Sequence, residues 1–384
     1  MSTSFRLESR LPNVGTTIFT VMSKLAADVG AINLSQGFPD FDCDPALIDA
    51  VTRHMREGRN QYAPMQGVPI LRQAISAKYE LFHDRRYDSD TEVTVTCGGT
   101  EAIFDAVTAV CGPGDEAIVF EPCYDCYVPA IQLSGATPVV VSLTLPDYHL
   151  DWDAVRAALT PRTRLIIINS PHNPTGAILG PGDIEELKTV VRGTDIVIIS
   201  DEVYEHIIFD GAQHHSVARD EQLAERSFII GSFGKTYHIT GWKAGYAVAP
   251  AALTAEFRKV HQFVTFSTNT PVQYALAEMM AKLEGLRELG PFFQAKRDMF
   301  LGLMEGSRFR PLPCGGSYFQ LMDYSAITDE TDADFAVRLT REFGVASIPT
   351  SSFLYRSAAP RVLRFCFAKK TATLQAAAAR LVAV

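Results

Sequence analysis

The chain has 384 residues, 47% of them hydrophobic and 21% charged, with a formal net charge of −9. That length exceeds one ordinary core, so two domains sharing a cleft are expected. The acidic balance, with no block of basic residues, excludes a nucleic-acid-binding surface, and no run approaches the ~18 uninterrupted apolar residues of a membrane span.

Met1 to Arg10 has no apolar stretch of the kind that opens a secretion signal, so a cytoplasmic location is expected. From Glu92 to Pro250 short apolar runs alternate with helical stretches. Strands are expected at Glu92–Thr96, Ala117–Phe120, Val139–Leu143, Arg164–Asn169, Ile196–Ser200, Ser227–Gly231 and Ala244–Ala249. Runs such as Leu165-Ile166-Ile167-Ile168 are continuous rather than alternating, which suits strands covered on both faces of a parallel sheet. Helices are expected at Glu101–Val110, Asp151–Ala158 and Gly182–Val191, the first stopped by Gly112-Pro113-Gly114. The fold class is therefore α/β, a mostly parallel doubly wound sheet. Further on, helical stretches at Thr254–Phe263, Pro271–Leu283 and Phe292–Met304 precede strand-like Gly315–Met322, Val345–Pro349 and Val362–Phe367 and a final Ala-rich helix, Thr373–Val382. This suggests a smaller α+β domain. We place the large domain at 40–280 and the small one at 1–39 plus 281–384, with an N-terminal arm.

The seven cysteines (43, 97, 111, 123, 126, 314 and 366) are scattered and odd in number, unlike a disulfide framework. Cys123 and Cys126 form a C-x-x-C without a second pair, so thiols idle in a reducing compartment are expected and no metal site is. His214-His215 reads as a surface loop.

Ser232-Phe233-Gly234-Lys235-Thr236 leaves a strand and places a lysine where one is seldom buried without purpose. A desolvated lysine amine loses its proton readily, which suits Schiff-base chemistry with an aldehyde. Gly234-Lys235-Thr236 also resembles the end of a phosphate-binding P-loop, but that pattern needs glycine where Ile229 stands. Asp201 ends another strand, at the sheet edge where α/β proteins bind ligands, and a carboxylate there can keep a pyridine nitrogen protonated. Asn173, in Asn169-Ser170-Pro171-His172-Asn173-Pro174-Thr175-Gly176, and Tyr204 can both hydrogen-bond a phenolic oxygen. Taken singly, the aspartate reads as a helix cap and the Asn-Pro-Thr-Gly as a turn. Cys97-Gly98-Gly99-Thr100-Glu101 leaves a strand and opens a helix, a place that favours an anion.

In this combination and order the chain resembles the class I, fold type I aminotransferases that use pyridoxal 5'-phosphate. It most resembles the branch with bacterial methionine aminotransferases and the kynurenine aminotransferase/cysteine-conjugate β-lyase enzymes. The likeness runs from Asn33-Leu34-Ser35-Gln36-Gly37-Phe38-Pro39-Asp40 to Arg364-Phe365-Cys366-Phe367. It implies that Lys235 forms the Schiff base, that Asp201 pairs with the pyridine nitrogen, and that Asn173 and Tyr204 hold the phenolic oxygen. It implies phosphate on the amides of Gly99, Thr100 and Glu101 and on the side chains of Ser232 and Lys243, with Tyr124 stacked on the ring. Arg364 would hold the substrate carboxylate, aided by Asn173 and the backbone near Gly37. Tyr62 would reach the phosphate of a neighbouring subunit, which makes a homodimer the expected assembly. Phe19 and Phe266 are candidate walls of the side-chain pocket, or equally plain core.

The activity so implied moves the amino group of an L-amino acid to a 2-oxo acid by a ping-pong mechanism, with Lys235 as general base. No second arginine stands in a motif for a distal carboxylate, so methionine heads the donors, followed by aromatic amino acids and kynurenine. A β-lyase on the same site and a non-catalytic regulator that binds the cofactor are the alternatives left open.

Overall fold

The computed structural model describes residues 7–384. Its centre is a seven-stranded sheet in the order Val93–Thr96, Gly245–Val248, Ser227–Ser232, Val197–Asp201, Thr163–Asn169, Glu116–Glu121 and Thr137–Ser142. Only Gly245–Val248 runs antiparallel to its neighbours. Every strand expected in this region is present within a few residues.

Side-chain alternation explains why the apolar runs are unbroken. Leu165 and Ile167 pack to one face with Ile199, Ile230 and Phe257. Ile166 and Ile168 pack to the other with Ile198, Ile229 and Leu187. Each such side chain contributes about 1.5–3 kcal/mol by leaving water, on either face. The helices Gly98–Val110, Tyr127–Ser134 and Ala251–Val264 cover the first face, and Pro69–His83 and Pro181–Val191 the second. Helix Gly98–Val110 ends at Cys111, just before the Gly-Pro-Gly turn.

The smaller part holds an antiparallel sheet ordered Ile348–Pro349, Val362–Cys366, Phe319–Asp323 and Arg310–Pro311, with Leu321 opposite Arg364. A separate parallel pair joins Ile32–Asn33 to Val345–Ala346. Helices Ile18–Val29, Leu289–Leu303, Asp332–Glu342 and Thr371–Leu381 close over a core containing Phe293, Phe300, Phe335, Phe365 and Leu374.

Several sequence expectations need correction. Pro271–Leu283 is not one helix: Thr270–Met279 gives way to a 3₁₀ stretch in which Lys282 leaves helical geometry. Val345–Pro349 is not one strand, because Ser347 separates two short pieces that join different sheets. The strand expected from Gly315 begins at Phe319, since Gly315 and Gly316 bond instead to the carbonyl of Gly176. His214 is not a surface residue: its Nε2 lies 2.8 Å from Glu202 Oε2, and the side chain is almost wholly covered. Helices Ile18–Val29, Pro45–Arg56, Pro69–His83, Tyr127–Ser134 and Asp332–Glu342 were not anticipated. Three carry start signals that the sequence does display, Thr17, Asp44 and Thr331 accepting from the amides of Thr20, Ala46 and Asp334. All seven cysteines are free.

Candidate active site

The carboxyl ends of the parallel strands open into a cavity of about 110 Å³ lined by Gly98, Gly99, Thr100, Tyr124, Asn173, Asp201, Tyr204, Ser232, Lys235 and Lys243, among others. Asp201 ends its strand and is 3% exposed. It accepts from the Tyr127 hydroxyl at 2.6 Å and from the Val203 amide at 3.3 Å. Burial pushes its carboxyl up to about 6, against the pull of those donors and of Lys235. It remains mostly ionised at neutral pH, and a cation facing it would complete its pairing.

Lys235 lies in a one-turn helix that follows the strand Ser227–Ser232. Its amine donates to Tyr318 Oη at 2.9 Å and to the Gly37 carbonyl at 3.3 Å. Burial pulls the amine down to about 8, so its neutral form is reached far more readily than in an exposed lysine. A neutral amine is the form that attacks a carbonyl. Tyr204 is fully buried edge-on to Tyr318, and burial drives its hydroxyl well above the ordinary phenol range.

The glycine turn is built for close approach. Gly98 sits at φ 82°, a backbone that favours glycine. A Cβ on Gly245 would stand 2.8 Å from Gly98 C and 2.9 Å from Gly99 N, so the turn rests directly on the neighbouring strand. Lys243, held at φ 53°, brings its Nζ within 3.4 Å of where a Gly98 Cβ would be. Amides at a helix start, a lysine amine and the Ser232 and Thr100 side chains thus face one anion-sized space. Tyr124 reaches Thr100 Oγ1 at 3.3 Å.

Arg364 is 1% exposed and has no carboxylate partner among the described residues. Nη1 donates to Asn173 Oδ1 at 2.7 Å and Nη2 to the Ser35 carbonyl at 3.3 Å, while Nε has no acceptor among the described residues. Its guanidinium lies 3.9 Å from the centre of the Phe319 ring and 5.2 Å from that of Phe19. Burial lowers it to about 10, so it stays charged at neutral pH. A buried cation with an unused donor suits a carboxylate ligand.

Two expected residues stand apart from this cavity within the chain. Tyr62 is 84% exposed, and Phe266 packs edge-on against it with ring centres 5.4 Å apart. Phe266 is therefore not a wall of its own chain's pocket. Glu101 does not present its carboxylate to the cavity: it folds back to accept from the Cys97 amide and from His261. Sequence reasoning missed Tyr127, Tyr318 and Asn169. Asn169 ends a parallel strand beside Asp201, and it bonds the Asp201 carbonyl and the Asn173 amide. Its place at a strand end was the available signal; Tyr318 offered none, because its partner Gly37 is remote in sequence.

The aminotransferase class I and II family model matches residues 29–381. The chain belongs to that family. It is 50% identical over 375 residues to a methionine aminotransferase of Escherichia coli strain K12, covering 97% of each chain. A probable N-succinyldiaminopimelate aminotransferase of Mycobacterium tuberculosis is 39% identical, again across 97% of each. A crystal structure reported with a methionine aminotransferase function, from Escherichia coli, superposes with a TM-score of 0.97 at 48% identity, covering 99% of this chain and 100% of that one. The aminotransferase is thus an enzyme of the fold type I architecture, with a mostly parallel sheet, and its family implies pyridoxal phosphate as cofactor.

Proposed function

We propose that this aminotransferase holds pyridoxal 5'-phosphate in the cavity between Lys235 and Asp201 and moves the amino group of methionine, or a similar apolar or aromatic amino acid, to a 2-oxo acid. One observation carries the reading. A lysine amine poised near neutrality and a buried carboxyl short of a cation line one cavity, with a glycine-framed anion cradle beside them. When bound, the cofactor supplies an aldehyde for amines and a cationic ring that accepts electrons from the substrate's Cα.

The chain's own residues do the rest. Gly99 and Thr100 amides, the Glu101 amide, Ser232 and Lys243 bind the phosphate; Asp201, braced by Tyr127, holds the ring nitrogen's proton. Asn173 and Tyr204 orient the phenolic oxygen, and Tyr124 covers the ring. Arg364 anchors the substrate carboxylate beside Gly37, with Phe19 along the side-chain path. The freed Lys235 amine would take the proton from Cα and return it on the far side of the substrate nitrogen, to the carbon that had been the aldehyde, the two half-reactions giving ping-pong kinetics. Tyr62 and Phe266, left exposed, fit a contribution to the site of a second subunit, hence a homodimer with large domains near 40–280 and small ones from 1–39 and 281–384. A cytoplasmic location accords with this; among the described residues no helix is long and apolar enough to cross a membrane.

Borohydride reduction after cofactor addition, followed by peptide mass measurement, tests the site. The pyridoxyl mass is expected on the peptide bearing Lys235, and its appearance on another lysine sinks the assignment. A panel of amino donors with several 2-oxo acids tests the substrate. Methionine is expected to lead in kcat/KM; a clear preference for an acidic donor, or pyruvate release from a cysteine conjugate as the main activity, would replace this reading.

A further inference from the structure

Behind the glycine turn, His261 of the helix Ala251–Val264 is wholly buried against the helix Gly98–Val110. Its Nε2 lies 2.9 Å from the carbonyl oxygen of Met65, an atom that can only accept, so Nε2 carries a proton. Its Nδ1 lies 2.7 Å from Glu101 Oε1 and 3.5 Å from Asp105 Oδ2. A carbonyl on one side and two carboxylates on the other match a ring with N–H at both positions. Asp105 strengthens this: it is 0% exposed, and among the described residues neither of its oxygens has a hydrogen-bond partner. Without a cation between them, two carboxylates would face each other away from water. Burial works against the imidazolium, but Asp105 and Glu101 outweigh it and lift the ring to about 9.

Glu101 is also the residue that closes the turn, since its other oxygen accepts from the Cys97 amide at the helix cap. An anionic side chain in this first turn competes with any dianion for the same helix N-terminus. We infer that His261 is a positioning residue for phosphate binding: as an imidazolium it neutralises Glu101 and pins it to the Cys97 turn, leaving the helix start free to attract a phosphate. The inference rests on the reading of Gly98, Gly99 and Thr100 as the phosphate cradle.

The test uses cofactor-free protein titrated with pyridoxal phosphate, with pyridoxal, which lacks the phosphate, and with inorganic phosphate as competitor. His261→Gln is expected to weaken both phosphate-bearing ligands at least about tenfold and to leave pyridoxal unchanged. Adding Glu101→Gln, which removes the charge that His261 offsets, is expected to recover most of the loss. Equal loss for pyridoxal and pyridoxal phosphate, or no loss, overturns the role. Wild-type protein that fails to prefer pyridoxal phosphate over pyridoxal removes the cradle itself, a distinguishable failure. The wild-type chain also offers a measurement that needs no variant: nitrogen spectra of labelled histidine should show both His261 nitrogens protonated at pH 7, and a bare nitrogen there refutes the arrangement.

Discussion

Lys235 and Arg364 are both long cations taken out of water, yet they differ in what they lack. The lysine amine has two oxygen acceptors, whereas the guanidinium keeps an idle Nε. For Lys235, attachment of the cofactor requires the neutral amine, whose fraction grows as pH rises through about 8. The rate of cofactor uptake at a fixed ligand concentration should therefore climb from pH 6 through 8, its half-height, and level off about one unit higher; a flat profile in stopped-flow absorbance would contradict the lowered amine. For Arg364, lysine keeps the charge but loses the planar fork. Arg364→Lys should cost on the order of a hundredfold in kcat/KM for amino acid and 2-oxo acid alike, with cofactor affinity little changed. At this scale much of the candidate site was legible in the sequence, because Asp201, Asn173, Lys235 and the glycines sit at or just beyond strand ends where position alone suggests a task. Tyr318 and His261 were not. Each acquires its meaning from a partner far away in the chain, Gly37 and Glu101, and no local pattern announces such pairs.

At the scale of elements, the site depends on how closely the glycine turn lies on the antiparallel strand. Gly245→Ala would force a methyl to within 2.8 Å of Gly98 backbone, and overpacking of that kind costs about 1–3 kcal/mol. We expect the variant to fold with lowered stability and much weakened phosphate affinity, measured by thermal melting and cofactor titration. A second element-level feature lies under the turn that carries Asp201 and Tyr204. Lys78 donates to both oxygens of Glu205 at 2.5 and 2.6 Å, with His83 beside them, all buried. Burial disfavours the Glu205 anion, but Lys78 and the neighbouring histidines hold its carboxyl well below the ordinary range. Such a group stabilises the fold above the ordinary carboxylate pKa, and that stability drains away as pH falls toward the folded value. Lys78→Met should cost about 3–5 kcal/mol by stranding the buried carboxylate, read as a lowered urea midpoint. The strands of the large sheet were legible because burial on both faces leaves unbroken apolar runs. Short pieces such as Val345–Ala346 and Ile348–Pro349 were not, since two residues carry no period and their sheet is chosen by distant partners.

The whole molecule presents Tyr62 and Phe266 to solvent in one chain, although both belong to the machinery we propose. If a second copy uses them, Tyr62→Ala should weaken cofactor affinity, and mixing it with an inactive Lys235→Ala chain should change activity in the mixed dimers. No change on mixing, with dimers present by light scattering, would place Tyr62 outside the site. The large-scale plan followed from alternating strands and helices, and the split of the smaller part across both ends of the chain shows in Met22 and Leu34 sharing one core with Phe335, Phe365 and Leu374.

That split bears on the order in which the polypeptide takes shape during synthesis. Ile32 and Asn33 find their only strand neighbour among the described residues in Val345 and Ala346. The beginning of the chain must therefore leave the ribosome and wait, unpaired, while the entire parallel sheet is made behind it. A nascent chain halted before Val345 should already protect the Lys235 region from protease while its first forty or so residues are still being cut.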